Sequence, residues 1–246
     1  MAAQLVEIFS SIQGEGPYLG VRQIFIRFAG CNLKCAYCDT FREFLPTYRV
    51  LHSPGPGTFA YYPNPAEPQD VVKIIEGYNL DSIHSISLTG GEPLLYTGFI
   101  KDMAARLRDK NVKYYLETNG TLPNRLQEIL PLTDIISMDF KLPSATKGQE
   151  MWEAHREFLK VGCQKDIFAK VVVAGNTTDQ EIINTCQIIR AVNPDIPLIL
   201  QPVTNDSGIF IESVPVSKLM FWQELAFSYV NDIRVIPQTH KFMGQL

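Results

Sequence analysis

The chain has 246 residues, 46% of them hydrophobic, with 22 Lys and Arg against 26 Asp and Glu and a formal net charge of −4. A length of this order buries a substantial core without staples and suits one large α/β domain, expected to span residues 1–246. The mild acidity and the lack of any Lys/Arg block exclude the electrostatic footprint of a nucleic-acid binder, and no stretch reaches membrane-spanning length.

In chain order, Met1 to Ser10 holds Glu7 and no basic start before an apolar run, so it reads neither as a signal peptide nor as an anchor. From Gln23 onward, short β-branched and aromatic runs alternate with amphipathic stretches, the pattern of repeated β/α units around a mainly parallel sheet. The predicted strands are Gln23 to Phe28, Ile83 to Leu88, Lys113 to Glu117, Ile135 to Phe140, Ile167 to Val173 and Pro197 to Gln201, with Asp232 to Ile236 closing the series. The predicted helices are Gln69 to Tyr78, Phe99 to Lys110, Thr146 to Val161, Asp179 to Ala191 and Ser217 to Tyr229. The expected architecture is therefore α/β, a partial, incomplete TIM-like β/α barrel of about six parallel strands. Residues 41–68 are rich in proline and lack either period, so they read as an inserted loop: a lid, a dimer contact or a disordered excursion.

The polar motifs fall just after the strands: LTGGEP, ETNG, DFK, AGN, QPVTN and PQTHK follow the second to seventh in turn. In parallel β/α barrels catalytic groups gather at the C-terminal strand ends, so these motifs converge on one mouth and point to an enzyme. The loop after the first strand, CNLKCAYC, carries Cys31, Cys35 and Cys38. Three of five cysteines within eight residues argue for metal ligation in a reducing cytoplasm rather than a disulfide framework. A structural zinc site and an electron-transfer [4Fe-4S] cluster each normally take four protein ligands, so three thiolates leave one iron open. Cys163 follows a helix at the wrong end of the barrel to serve as a fourth. Cys163 and Cys186 read as small buried hydrophobes, and His52, His84 and His155 as surface or loop residues.

The CxxxCxxC spacing with Tyr37 before Cys38, followed by GGEP at Gly90 to Pro93, resembles the signature of the radical S-adenosylmethionine (SAM) superfamily. That resemblance implies the radical SAM fold, a [4Fe-4S] cluster on Cys31, Cys35 and Cys38, and S-adenosylmethionine held through Tyr37, Cys38, Asp39, Gly91 and Glu92. It extends to Asp139, Phe140 and Lys141, where Asp139 departs from the Ser common in the family, and to Gln201, Pro202, Val203 and Thr204, which otherwise form a proline turn.

Glu7 to Thr40, with its SIQGEG segment, resembles the opening of the 7-carboxy-7-deazaguanine synthases, and QTHKFMGQL at the end is similar to their tail. This implies a lyase of the queuosine pathway. It would convert 6-carboxy-5,6,7,8-tetrahydropterin to 7-carboxy-7-deazaguanine by hydrogen abstraction at C6, ring contraction and loss of ammonia. The substrate would be bound by Ile12, Gln13, Gly14, Arg27, Thr89 and Leu246. Thr40 would ligate Mg²⁺, or cap a helix after Asp39. A homodimer and a flavodoxin or ferredoxin reductant are implied likewise. Glu117, at an Asn119-Gly120 turn, and His240 are the candidates for acid, base or hydrogen-bonding roles. A glycyl-radical-enzyme activase would share the cysteine and GGEP motifs but lacks the SIQGEG entry and the QTHK exit. A non-catalytic iron-sulfur or zinc module would need a closed site.

Overall fold

A computed structural model describes residues 1–38, 43–52, 58–204 and 212–244. Ten strands form one continuous sheet: β1 (Leu5–Ile12), β2 (Arg22–Phe28), β3 (Thr47–Leu51), β4 (Ala60–Pro63), β5 (Ser85–Gly90), β6 (Tyr114–Thr118), β7 (Ile135–Phe140), β8 (Asp166–Val173), β9 (Leu198–Pro202) and β10 (Ile233–Val235). Their order is β10-β9-β8-β7-β6-β5-β2-β1-β3-β4. From β2 through β5 to β10 every neighbour is parallel. The sheet is open, an incomplete barrel of the kind expected.

The two-residue period of a strand divides the sheet into a helix-packed face and an inner face. Ile24, Ile26, Phe28, Ile86, Leu88, Leu116, Ile136, Met138 and Val171 join the main core with apolar residues from the helices. These helices are α1 (Pro68–Glu76), α2 (Thr97–Arg106), α3 (Pro123–Ile129), α4 (Trp152–Gly162), α5 (Asp179–Val192) and α6 (Val216–Ala226). The alternate residues face inward and change character along the strands. Toward the N-terminal ends Tyr115, Ile135, Phe168 and Ile199 cluster with Tyr18, whose hydroxyl bonds Asp166. Toward the C-terminal ends they are polar: Arg27, Thr89, Glu117, Asp139, Lys170 and Gln201. The apolar plug and the polar mouth thus come from the same rows of residues.

Three departures from the sequence reading have physical causes. The described part of residues 41–68 is not a structureless insertion, because β3 pairs in parallel with β1 and β4 pairs antiparallel with β3. Among the described prolines, Pro46 precedes β3, Pro65 and Pro68 follow β4, and Pro63 ends that outermost strand, where no ladder donor is needed. β1 escaped notice because Glu7, Ser10 and Ser11 are buried polar residues that break its hydrophobic signal. The helix expected from Thr146 begins at Trp152, since Lys147 and Gly148 have φ of 57° and 86°, left-handed values incompatible with a helical turn.

Helix α5 has the strongest start signal. The Thr178 side chain accepts from the Glu181 N–H at 3.3 Å, and Glu181 accepts from the Thr178 N–H at 2.8 Å, a reciprocal capping box. Thr178→Ala is expected to cost about 1 kcal/mol, read as a lower urea midpoint with an unchanged slope.

Candidate active site

The loop after β2 carries the cysteines into a cavity of about 570 Å³ at the C-terminal ends of the strands, lined by Cys31, Cys35 and Cys38 among others. None of the three is in a disulfide. The Leu33 N–H donates to Cys31 Sγ at 3.4 Å and Asn119 Nδ2 at 3.7 Å, while Ala36 N–H anchors the loop on the Ala145 carbonyl at 2.9 Å. Burial pushes the Cys31 and Cys35 thiols up. Among the described residues no three His, Cys, Asp or Glu side chains are placed to hold a single metal ion. Cys163 is exposed just beyond α4, away from the mouth, and Cys186 is buried in α5. The reading of Cys163 as buried is corrected; it is at the C-terminus of a helix, where the chain turns through solvent into β8.

The GGEP turn is built against this loop. Gly91 N–H donates to the Phe28 carbonyl at 3.0 Å and Glu92 N–H to that of Gly30 at 2.9 Å. A Cβ on Gly91 would overlap the Gly30 carbonyl oxygen, so only glycine permits the approach. Glu92 was expected to meet the cofactor through the GGEP backbone; its side chain is fully buried and turns away from the cavity. It accepts from Leu94 N–H, Asn119 N–H and the Thr118 hydroxyl at 2.9 to 3.0 Å, and burial raises its pKa to about 7 against those donors. Phe140 likewise points into the helix-packed core, against the His155 ring at 4.7 Å. His155 is not a surface residue: it is fully buried, its Nε2 lies 3.1 Å from the Asn119 carbonyl, and burial lowers its pKa to about 4.

A second wall holds most of the predicted substrate residues. Gln13 Nε2 donates to Glu117 Oε1 at 2.9 Å and to Gln23 Oε1 at 3.0 Å, and the Thr89 hydroxyl donates to Glu117 Oε2 at 2.7 Å. Arg27 Nε bonds Glu7 at 2.7 Å, and Ile12 stands at the rim. The C-terminal tail closes over this wall. Thr239 N–H, at the start of α7 (Thr239–Phe242), donates to the Gly14 carbonyl at 2.9 Å, and His240 packs against Gly14 so closely that a Cβ there would collide with it. Asp39, Thr40 and Leu246 lie outside the described residues.

Between the two walls runs a line of charges, of which the sequence reading named Asp139 and Lys141 but missed Glu15 and Lys170. Glu15 pairs with Lys170, Lys170 with Asp139 at 3.5 Å, and Asp139 with Lys141 at 2.8 Å; Lys141 Nζ reaches the Tyr37 hydroxyl at 3.4 Å. Gln238 and Gln201 donate to Glu15 Oε1 at 2.8 and 3.2 Å. Burial raises the Tyr37 hydroxyl, so it stays neutral and accepts from Lys141. A lone lysine inside the apolar run IFAKVVV was the available signal for Lys170, because a buried ammonium requires a partner. Pro202 is not a lining residue, whereas Gln201, Val203 and Thr204 are.

Three thiols on one loop and no cysteine placed to be a fourth fit a cluster with an open iron. Among the described residues, Asp139 Oδ1 and Gln201 Oε1 are buried without hydrogen-bond partners, and both residues line the cavity, as acceptors for a polar ligand would. The radical SAM superfamily profile matches residues 25–189, and the chain belongs to that superfamily, whose members carry a [4Fe-4S] cluster and use S-adenosylmethionine. A 7-carboxy-7-deazaguanine synthase from Geobacter sulfurreducens is 44% identical over 248 residues, covering 99% of this chain and 98% of its own. One from Methanocaldococcus jannaschii is 36% identical over 98% of this chain and 99% of its own. The chain thus belongs to the 7-carboxy-7-deazaguanine synthase family. The crystal structure of QueE from Escherichia coli shares the fold, with a TM-score of 0.64 at 23% identity over 98% of this chain and 95% of that one.

Proposed function

We propose that this enzyme converts 6-carboxy-5,6,7,8-tetrahydropterin to 7-carboxy-7-deazaguanine with release of ammonia, in the queuosine pathway. The observation that carries the reading is that one cavity joins the cysteine loop to the wall of Gln13, Arg27, Thr89 and Glu117. Cys31, Cys35 and Cys38 would hold the cluster. When bound, the cluster and S-adenosylmethionine supply one-electron hydrogen abstraction, which ordinary side chains cannot perform.

The chain's own residues bind and orient. Glu117, fixed by Gln13 and Thr89, presents a carboxylate to the N–H groups of an aminopyrimidinone edge, and Arg27 offers a planar fork to the pterin carboxylate. The glycine of Gly14 lets backbone groups approach the flat ring. Lys141, bonded to Tyr37, and Asp139 beside it stand toward the cysteine loop, where cofactor amino, carboxylate and hydroxyl groups would be met. His240, over Gly14, is positioned to take a proton near the departing ammonia. Thr40 as an Mg²⁺ ligand, Leu246 as a substrate contact, a homodimer and a flavodoxin or ferredoxin reductant rest on the family resemblance. The anaerobic test supplies the reduced, cluster-loaded protein with S-adenosylmethionine, Mg²⁺ and carboxytetrahydropterin. Deazaguanine and ammonia in equal amounts are expected; cofactor cleavage without either product refutes the proposed reaction.

A further inference from the structure

Strand register puts three charges in a row at the cavity mouth. Glu7 of β1 is directly opposite Arg27 of β2 in the antiparallel pair and directly opposite Arg49 of β3 in the parallel pair. All three side chains line the cavity. Glu7 Oε1 takes the Arg27 Nε at 2.7 Å, and Oε2 takes Arg49 Nε at 2.7 Å with Nη2 at 2.6 Å. Aromatic rings fix the planes: the Arg49 guanidinium lies 4.4 Å from the Phe59 ring centroid and that of Arg27 lies 5.7 Å from Phe9. Phe9, Phe25 and Leu51 form the apolar floor, packed with Phe59.

Two cations share one carboxylate, so the row carries a net positive charge. Each guanidinium has five N–H donors. Glu7 engages one nitrogen of Arg27 and two of Arg49, and both forks keep unengaged donors among the described residues. Glu7 is 4% exposed, and the Arg49 side chain is 39% exposed at the rim. The buried acid is therefore the fixed member, and the two cations flank it with edges free for a further planar anion.

We propose that Arg49 is a specificity-determining residue that grips the substrate carboxylate together with Arg27, with Glu7 as the positioning residue that holds both forks. This rests on the reading of the substrate as a carboxylated pterin. It gives the hairpin of β3 and β4 a task in recognition: the segment delivers the second guanidinium to the mouth. A fork against a carboxylate discriminates by charge and by shape, so Lys at this position would retain the first and lose the second.

The test compares two ligands on the anaerobic, cluster-loaded and S-adenosylmethionine-bound protein: carboxytetrahydropterin and tetrahydropterin lacking the carboxylate. Arg49→Gln is expected to lower the ratio of their affinities by about tenfold, the scale of a lost hydrogen bond between charged groups. Arg49→Lys is expected to fall between Gln and the parent. A merely structural role would weaken both ligands alike, so an unchanged ratio in both variants overturns the proposal whether or not overall affinity falls. A parent protein that does not prefer the carboxylated ligand refutes the substrate reading itself, and this inference with it.

Discussion

Gly91→Ala is expected to abolish product formation, by at least about 100-fold, while leaving most of the sheet intact. Chain segments at Gly91 and Gly30 run back to back, held by the Gly91 to Phe28 and Glu92 to Gly30 hydrogen bonds. A methyl group at Gly91 would occupy the Gly30 carbonyl oxygen, and neither partner has room to yield: Gly30 has a φ of 80° and Gly90 of 116°. The strain would transmit to Cys31, the next residue. Small displacements of reacting groups cost about two orders of magnitude in rate. The measurement is iron and sulfide per chain beside the rates of 5′-deoxyadenosine and deazaguanine formation. A variant with full cluster content and the parent rate would show that the approach is not needed.

Lys170→Met is expected to destabilise the fold by about 3–5 kcal/mol, the cost of leaving a buried carboxylate unpaired. Burial alone would raise the Glu15 carboxyl, but the Lys170 charge and hydrogen bonds from Lys170 and Gln238 hold it at about 2, below its ordinary 4.5. A depressed carboxyl contributes stability that is fully present above about 4.5 and is lost as pH falls toward about 2, here about 3 kcal/mol in all. Lys170 works in the opposite sense: burial lowers it, Glu15 and Asp139 raise it further, and its contribution is constant throughout that acid window. In the variant burial, the largest influence on Glu15, is opposed only by Gln238 and His240, so the sign reverses and acidification from pH 7 to 4 stabilises it relative to the parent. Urea unfolding of cluster-free protein at several pH values reads both effects. Adding Glu15→Gln to Lys170→Met should recover much of the loss, because the pair rather than either residue carries the energy.

The contrast between what was readable in the sequence and what was not follows from the range of the interactions. β5 to β9 were found within two residues because each alternates against its own helix and ends at a polar motif, a local pattern. The GGEP and cysteine segments were likewise local, and Arg27, Gln13, Thr89 and Glu117 do meet in one wall. Glu7, Glu15 and Arg49 were invisible because their meaning lies in partners far along the chain. Glu15 bonds Lys170 and Gln238, 155 and 223 positions away, and Arg49 meets Glu7 only through the register of β3 on β1. The burial of the Glu92 side chain and of His155 was hidden for the same reason. Both look like active-site groups or surface polar residues in isolation, yet each is buried behind the Thr118 to Gly120 turn, holding its backbone.

The tail that lies on Gly14 and Glu15 has a consequence for the timing of folding. From β6 to β10 each strand pairs with the one made just before it, so the sheet can grow as the chain emerges during synthesis. Gly14 and Glu15 lie 225 and 223 positions before Thr239 and Gln238, the tail residues that bond them. Closing a loop of that span is affordable only once the intervening strands have already brought its ends together. The wall at Gly14 and Glu15 is therefore completed only after the intervening strands have formed, and until the tail docks Glu15 lacks the Gln238 hydrogen bond, one of the three its side chain accepts.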